Sequence, residues 1–356
     1  MSDDRDAQRS VAEHKEAKRA EKNDTNDDRD TISIDKNKIY AFLKSPRAQW
    51  GIVLILLLLI LSSSYGIRTS NIDRLVDVTN GENIPLALDP FYFMRVAQTY
   101  VDNGGTMPEY DPLRYNPERP TEWHSEIHPY IVANMFLVTQ TFNPDITLEY
   151  MYVLSPALFY LLGLILFFCI CVLLTKDKWL ALLASAFLAF TPAFLYRTMA
   201  GFADHESVGM MGFFLVLLVY ILSVNNVGRK KDHYVKALIF GALTGIVTTL
   251  VFALWGGIIR FVILILPISL FLIWIFNTRK KNKKFMYAYL TYYTSWIVFS
   301  ILSAPLLNQS MKRVMSLFTG SEGIIAPAIL LFMVSDTIYA LKKFSFVKQK
   351  IRIVYS

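Results

Sequence analysis

Long apolar runs are the feature that most constrains this chain. Residues 50–67 read WGIVLILLLLILSSSYGI and contain no charged residue. A helix needs about 20 predominantly apolar residues to cross the hydrocarbon core of a bilayer. Further apolar runs follow at about 151–174, 178–196, 207–224, 236–254, 257–276, 285–302 and 324–341. The sequence therefore predicts an all-α polytopic membrane protein with about eight transmembrane helices.

Lysine and arginine in the short loops predict the orientation of these helices. Residues 225–236, 277–284 and 341–352 are basic and fall in alternate loops, so these loops and the N-terminus are expected on the cytoplasmic side. The loops at 197–206 and 303–323 are then external. The basic loops supply much of the net charge of +7, so the charge does not indicate a nucleic-acid partner.

The distribution of polar sequence predicts the domain organisation. Residues 1–45 are a charged segment that cannot bury a core, and we expect a disordered cytoplasmic tail. Residues 46–67 form the first transmembrane helix, interpreted as an anchor and not as a signal peptide. Residues 68–150 form one long external loop, and loops of such length are usually functional. Residues 151–356 form a transmembrane bundle of about seven helices with short loops.

Acidic residues collect on the predicted outer face. Asp204 and Glu206 precede the fourth apolar run, and Asp89 lies in the long loop. In an extended segment, residues two apart point to the same side, with His205 on the opposite side. Two carboxylates on one side, joined by Asp89, make a hard oxygen site that suits Mg²⁺ or Mn²⁺.

A second interpretation of these acids is helix capping. Asp204 can cap the following helix, with Glu206 in its first turn, and Asp89 precedes Pro90 as an N-cap does. The two interpretations are compatible, because a capping carboxylate can also bind a metal. Arg95 and Arg197 lie near the acids in sequence, which suits a phosphate-bearing substrate. Arginines at a membrane interface also extend toward the headgroups without any such role.

Two of these stretches resemble motifs of one enzyme family. DPFYFMR (89–95) is similar to the first acidic motif of oligosaccharyltransferase catalytic subunits, which opens their first long external loop. RTMAGFADHE (197–206) is similar to their second acidic motif, an Arg-x-x-Ala-Gly run that ends in two acids or an acid and a histidine. Both stand in the family's order, with two apolar runs between them. The resemblance covers roughly residues 46–341.

The resemblance implies a C-type membrane glycosyltransferase fold, a helical bundle with its active site on the outer face of the cell membrane. Such enzymes transfer a preassembled oligosaccharide from a polyprenyl or dolichyl phosphate or pyrophosphate to asparagine in Asn-x-Ser/Thr, with inversion. Carried over, Asp89, Asp204 and Glu206 would bind Mn²⁺ or Mg²⁺, and Asp89 would also contact the acceptor amide. From their position beside these acids, and apart from the resemblance, Arg95, Arg197 and His205 are the candidates for binding substrate. The expected partners are the lipid-linked oligosaccharide, an acceptor polypeptide and membrane lipid.

A further catalytic carboxylate of this family comes from a Thr/Ser-x-x-Glu motif in a late external loop. TGSE (319–322) has these letters and makes Glu322 the candidate, although the family's loop follows more spans than precede residue 322. Glu322 is otherwise an ordinary loop acid near the start of a helix.

The family's acceptor pocket has no counterpart in this sequence. That pocket uses a Trp-Trp-Asp motif in a C-terminal soluble domain, and none of the six tryptophans here has a tryptophan neighbour. Three interpretations follow: a fragment, a chain that acts with a separate polypeptide carrying that domain, or a shortened relative. Two other functions stay open. One is a C-type glycosyltransferase that uses a polyprenyl-phosphate monosaccharide, and the other is a non-catalytic membrane protein or transporter.

Overall fold

The computed structural model describes residue 15 and residues 41–111, 113, 114, 123, 126–227, 233–276 and 283–354. The chain divides into the units Met1–Ile52 and Val53–Ser356, and the bundle belongs to the second. In the first unit, residues 41–44 are helical. Most of the tail predicted to be disordered lies outside the described residues.

The described residues are predominantly helical. The α-helices are α1 (Pro46–Thr69), α2 (Leu88–Asp102), α3 (His128–Gln140), α4 (Leu148–Thr175), α5 (Lys178–Phe190), α6 (Pro192–Tyr196), α7 (His205–Asn226), α8 (His233–Leu254), α9 (Ile259–Phe276), α10 (Lys283–Leu302), α11 (Met311–Thr319) and α12 (Ile325–Val354). Short 3₁₀ helices cover Ile72–Arg74 and Ala304–Leu307. A single β-bridge joins Val76 and Asn83 within the described part of the chain.

Six of the described helices are long and apolar enough to cross a membrane: α1, α4, α7, α8, α9 and the first 18 residues of α12. The α10 helix has 20 residues, but its tyrosine, serine and threonine side chains make it less apolar. Together with α10 and the shorter apolar helix α5, these six helices roughly match the predicted number of about eight. The predicted all-α membrane bundle is therefore confirmed.

One predicted span, 178–196, is not a continuous helix. The α5 helix ends at Phe190 after 13 residues, and α6 begins at Pro192. Proline has no backbone N–H, and its ring disfavours helical backbone in the preceding residue. Thr191 is accordingly extended, with φ −64° and ψ 120°. Thirteen residues rise only about 20 Å, which is less than the hydrocarbon core of roughly 30 Å.

The bundle core depends on close packing of α8 against α10. A Cβ atom added at Gly241 would lie 2.5 Å from the carbonyl oxygen of Tyr292, and one at Gly245 would lie 2.6 Å from that of Trp296. The two glycines are four residues apart and therefore share one face of α8. Small residues at this spacing let helix backbones approach each other in membranes, where dispersion contacts drive association.

We expect Gly245→Ala to destabilise the protein even though alanine favours helix. The added methyl group meets backbone atoms that cannot rotate away, so α8 and α10 must separate, at a cost of about 1–3 kcal/mol. Gly66→Ala in α1 is the matched control, because a Cβ there meets nothing within 4 Å. Thermal unfolding in detergent should show a lower midpoint for Gly245→Ala and an unchanged or higher midpoint for Gly66→Ala. Equal midpoints would contradict this packing.

The long segment 68–150 contributes two helices, α2 and α3, that lie beside the bundle. The backbone N–H of Ile127 donates to the carbonyl oxygen of Ala253 at 2.8 Å, so the start of α3 is held at the end of α8. A buried apolar cluster joins these helices to α4 and α7: Phe93, Ala97, Val132, Ala133, Phe136, Leu148, Met151, Tyr152, Phe159, Ala203, Val208 and Leu254. This cluster packs against the start of α7.

Candidate functional site

The segment between α6 and α7 is held in place by backbone hydrogen bonds. The N–H of Ala200 donates to the carbonyl of Arg68 at 2.7 Å, and the N–H of Gly201 donates to that of Val153 at 2.8 Å. The N–H of Leu86 donates to the carbonyl of Gly201 at 2.8 Å. Three separate parts of the chain therefore fix this segment, which leads directly into the acidic residues at the start of α7.

Gly201 is required in this segment for two reasons. Its φ is +88°, in a region that residues with a side chain rarely adopt. A Cβ atom would also lie 2.5 Å from Cδ1 of Leu75 and 3.0 Å from Cγ of Leu86. Gly201, the glycine of the Arg-x-x-Ala-Gly motif, thus permits the turn that leads to Asp204 and Glu206 at the start of α7.

Asp204 is the N-cap of α7, but its geometry differs from that of an ordinary cap. An N-cap carboxylate usually accepts from the N–H two or three residues later. Asp177, the N-cap of α5, does so with Trp179 and Leu180. Asp204 instead accepts from the N–H of His205 at 2.7 Å. Its buried carboxylate is therefore turned away from the usual capping partners.

Three side chains at the start of α7 form a group that could hold a metal. One ligand atom from each of Asp204, His205 and Glu206 lies within 4.8 Å of the others. The expectation that an extended backbone places His205 on the opposite side is wrong: the helix begins at His205, and its Nδ1 lies 3.3 Å from Oδ1 of Asp204. The histidine joins the carboxylates because the chain turns there.

Glu206 carries an unusual buried oxygen. Its Oε1 accepts a hydrogen bond from Nη1 of Arg197 at 3.0 Å. Its Oε2 is buried and has no hydrogen-bond partner among the described residues. Burying a carboxylate oxygen without a partner costs free energy, and a bound cation would remove that cost. One imidazole and two carboxylates, one of which has this unpaired oxygen, fit a divalent metal ion.

His205 is held by residues from three other elements. Its ring stacks on that of Trp255, with centroids 5.2 Å apart and planes at 21°. It makes a T-shaped contact with the ring of Phe93 in α2, with centroids 5.8 Å apart. Its Nδ1 lies 3.1 Å from Oε2 of Glu126. Sequence reasoning missed Glu126, because it stands alone, 79 residues from His205, and no spacing pattern indicates the pairing.

Asp89 lies in the first turn of α2 and is exposed. It is not in the group whose ligand atoms lie within 4.8 Å of one another. Phe93 stands one turn later on the same face of α2, and Phe93 contacts the His205 ring. The face of α2 that carries Asp89 is therefore the one that adjoins the group.

Arg95, a predicted substrate-binding residue, is engaged with another side chain. Its two terminal nitrogens hydrogen-bond both oxygens of Asp111, at 2.9 and 2.5 Å. This guanidinium lowers the pKa of the Asp111 carboxyl from its ordinary value, and a backbone hydrogen bond from Leu113 acts in the same direction. The pair connects α2 to residue 111, in the segment between α2 and α3.

Glu322 is not part of the acidic group. It is half-exposed and forms an ion pair with Arg260, whose Nε lies 3.3 Å from its Oε2. Both side chains line a cavity of ≈ 370 Å³ together with Arg313. The cavity also includes Gly256, whose N–H donates to Oε1 of Glu126 at 3.4 Å. The cavity thus adjoins the surroundings of His205, while Glu322 itself is paired elsewhere.

The chain is similar to known proteins over most of its length. The family model described as oligosaccharyl transferase STT3, N-terminal, matches residues 55–354. A curated relative, the dolichyl-diphosphooligosaccharide–protein glycosyltransferase subunit stt3 of Schizosaccharomyces pombe, is 24% identical over 261 residues. That alignment covers 70% of this chain but only 32% of the relative, so the chain spans about a third of its length.

Solved structures show the same fold. The Archaeoglobus fulgidus oligosaccharyltransferase in complex with Zn and sulfate superposes with a TM-score of 0.59 at 17% identity, covering 82% of this chain and 37% of that one. The archaeal oligosaccharyltransferase AglB from the same organism, with an inhibitory peptide and a dolichol-phosphate, gives 0.60 at 17% identity and covers 85% and 38%. By the extent of the family match, this chain belongs to the oligosaccharyl transferase STT3 family and corresponds to its N-terminal region.

Proposed function

We propose that this chain carries the metal-binding and donor-binding part of an oligosaccharyltransferase of protein N-glycosylation. The reaction would transfer a preassembled oligosaccharide from a polyprenyl or dolichyl phosphate or pyrophosphate to the side-chain amide of asparagine in Asn-x-Ser/Thr. One observation carries the proposal: Asp204, His205 and Glu206 gather at the mouth of a membrane helix, and an oxygen of Glu206 is buried there without a described partner.

The position of this group suits a lipid-linked donor. The α7 helix starts at the group and ends at Asn226, so its 22 residues rise about 33 Å, the thickness of a hydrocarbon core. The basic sequence 225–236 follows at its other end and favours the cytoplasmic side. The group would then lie at the outer face, at the height of a carrier's phosphate.

Residues of this chain have distinct roles in the proposed reaction. Asp204 and Glu206 would hold Mn²⁺ or Mg²⁺, with Asp89 supplied by the adjoining face of α2. A bound divalent ion supplies Lewis-acid neutralisation of charge on the leaving phosphate. Arg197 is half-exposed beside Glu206 and can turn toward a phosphate oxygen. Asp89 would also accept a hydrogen bond from the acceptor amide, whose nitrogen attacks opposite the leaving group and inverts the anomeric carbon.

Selection of the acceptor serine or threonine falls to a separate part of the enzyme in this proposal. The resemblance assigns that pocket to a C-terminal domain with a Trp-Trp-Asp motif, a region of the family beyond the N-terminal part that this chain matches. The carrier, the acceptor polypeptide and membrane lipid complete the set of partners. Glu322, with its carboxylate paired to Arg260, is the weakest of the proposed catalytic residues.

Removal of divalent metal tests the proposed function. The gene would be expressed with its neighbouring reading frames, and transfer from a dolichyl-linked oligosaccharide to an Asn-x-Thr peptide measured in membranes. We expect EDTA to abolish transfer, and Mn²⁺ or Mg²⁺ added in excess to restore it. Membranes from cells without the gene give the background. Transfer that persists undiminished in EDTA, or no transfer in any of these membranes, would overturn the proposal.

A further inference from the structure

A basic cavity lies at the end of the bundle that carries the acidic group. It has a volume of ≈ 370 Å³ and is lined by residues of α8, α9, α11 and the loop before α12. Its charged lining residues are Arg260 of α9, Arg313 of α11 and Glu322 of that loop. Trp255 follows α8 directly and stacks on the His205 ring, and the next residue lines the cavity. The cavity and the acidic group therefore lie at the same end.

The cavity carries more positive than negative charge, because two guanidinium groups and one carboxylate line it. Nε of Arg260 lies 3.3 Å from Oε2 of Glu322, and both side chains are more than half exposed. Ion pairs this exposed contribute little to stability, and a guanidinium has five N–H donors. Arg260 can therefore bind an anion while it keeps its contact with Glu322.

The charge of Arg313 is held at the cavity wall by its helix and by an aromatic ring. Val314 and Phe318 anchor α11, because both are buried. The backbone N–H of Arg313 donates to Oγ of Ser310, the N-cap of α11, at 3.1 Å. The guanidinium carbon lies 5.3 Å from the centre of the Phe252 ring, a cation–π distance. The positive charge thus stays beside the cavity.

The cavity lies where apolar helices end. Phe252 is two residues from the end of α8, and Arg260 is the second residue of α9. From there α9 continues to Phe276 without another charged residue, and its 18 residues rise about 27 Å. An arginine at the end of such a helix reaches the level of the lipid headgroups. The cavity therefore lies at the height of the phosphate groups in a bilayer.

The exposed face of α11 is both apolar and basic. Met311 and Met315 lie one turn apart and are 44% and 48% exposed. Lys312 is exposed beside them. Apolar and basic side chains exposed together on a short helix are typical of a helix that lies in the membrane interface. A ligand with both a phosphate and acyl chains matches this combination of surfaces.

We propose that the cavity binds the phosphate of an anionic bilayer phospholipid, with Arg260 and Arg313 on the phosphate oxygens and the acyl chains beside Met311 and Met315. Basic pockets between transmembrane helices bind anionic headgroups in this way. The phosphate would join α9 to α11 through two cations that otherwise repel each other. The inference rests on the proposed function in one respect: the carrier's phosphate is assigned to the acidic group, which leaves this cavity to a bilayer lipid.

Native mass spectrometry of the full chain, purified in detergent, measures the binding of phosphatidylglycerol against phosphatidylcholine. We expect phosphatidylglycerol to bind more tightly. Arg260→Gln and Arg313→Gln should each weaken its binding about fivefold, the usual contribution of one basic residue near anionic lipid. Arg74→Gln is the matched control, because Arg74 is exposed beyond the end of α1 and does not line the cavity. Unchanged binding in both cavity variants would overturn the proposal.

Glu322→Gln distinguishes the charge of the cavity from a loss of structure. This carboxylate is the anion among the lining residues, so its removal should strengthen phosphatidylglycerol binding about fivefold. A damaged fold would weaken binding instead. Weaker or unchanged binding in Glu322→Gln would contradict the assignment of the cavity as the lipid site.

A competition experiment identifies the source of the phosphate. Dolichyl phosphate at equal concentration should displace little phosphatidylglycerol. If dolichyl phosphate is retained preferentially, and Arg313→Gln abolishes that preference, the carrier occupies the cavity and the proposal fails.

Failure of the lipid site and failure of the proposed function have different signatures. If the transfer function is wrong, transfer to a peptide is absent while phosphatidylglycerol binding still depends on both arginines. If only the lipid site is wrong, transfer remains dependent on metal and the cavity variants bind phosphatidylglycerol normally.

Discussion

Asp204→Asn is expected to abolish oligosaccharide transfer while leaving the fold intact. Asparagine caps helices about as well as aspartate, so α7 keeps its start. The amide carries no negative charge, so it should bind Mn²⁺ or Mg²⁺ more weakly than the carboxylate does. We expect transfer to fall at least 100-fold and Mn²⁺ affinity to fall with it, with a thermal unfolding midpoint close to that of the unaltered protein.

Asp177→Asn is the control for this experiment. Asp177 caps α5 through the N–H groups of Trp179 and Leu180, the arrangement of a purely capping aspartate. It should retain both transfer and Mn²⁺ binding. If Asp204→Asn also retains them, Asp204 is only a cap, and its assignment as a metal ligand fails. The comparison thus decides whether Asp204 only caps α7 or also binds a metal ion.

Arg68→Met is expected to destabilise the protein strongly. The Arg68 side chain is fully buried and donates to Oγ1 of Thr198 at 2.8 Å and to the carbonyls of Ala189 and Ser64 at 3.0 and 3.2 Å. Its guanidinium also lies 3.4 Å from the centre of the Tyr160 ring. Methionine fills the space but leaves those oxygens without their donors.

The end of α5 explains why Arg68→Met should lower the stability so much. Its last carbonyls lack helical partners because Pro192 cannot continue the chain of hydrogen bonds, and Arg68 satisfies that of Ala189. We expect a loss on the order of 3 kcal/mol, because charge-assisted hydrogen bonds to buried groups are lost together. Such a loss corresponds to a midpoint lower by roughly 5 °C.

The experiment measures the unfolding midpoint in detergent, with Arg74→Met as control. Arg74 is exposed on the short 3₁₀ helix after α1, so its loss should change the midpoint little. Arg68→Lys separates charge from shape, since lysine keeps the charge but lacks the planar fork, and should be intermediate. An unaltered midpoint in Arg68→Met would show that the buried arginine does not hold α5 and the loop after α6 together.

Much of the fold could be predicted from local sequence. Apolar runs long enough to cross a bilayer identify transmembrane helices because unpaired backbone groups are excluded from lipid. The same reasoning failed at 178–196, where composition is apolar throughout but Pro192 interrupts the helix. A hydropathy profile averages the apolarity of the side chains over a window. It therefore does not detect that Pro192 lacks the backbone N–H that a continuous helix needs.

The candidate site was only partly predictable. Asp204 and Glu206 stand out because two acids precede an apolar run, where they can cap the helix or bind a metal ion. Their geometry with His205 depended on where α7 begins, which sequence spacing alone did not decide. Arg95 likewise stands beside an acidic motif, yet the structure pairs it with Asp111, 16 residues away.

By itself, the sequence determined the membrane class, most of the spans, and the residue types available for metal and phosphate chemistry, because these depend on composition and local order. Only the tertiary structure decided that Glu126 faces His205 and that Arg68 reaches Thr198, contacts that join residues 79 and 130 positions apart. Such pairings leave no local pattern, since each partner is a single polar residue whose burial and neighbours are set by how the helices pack.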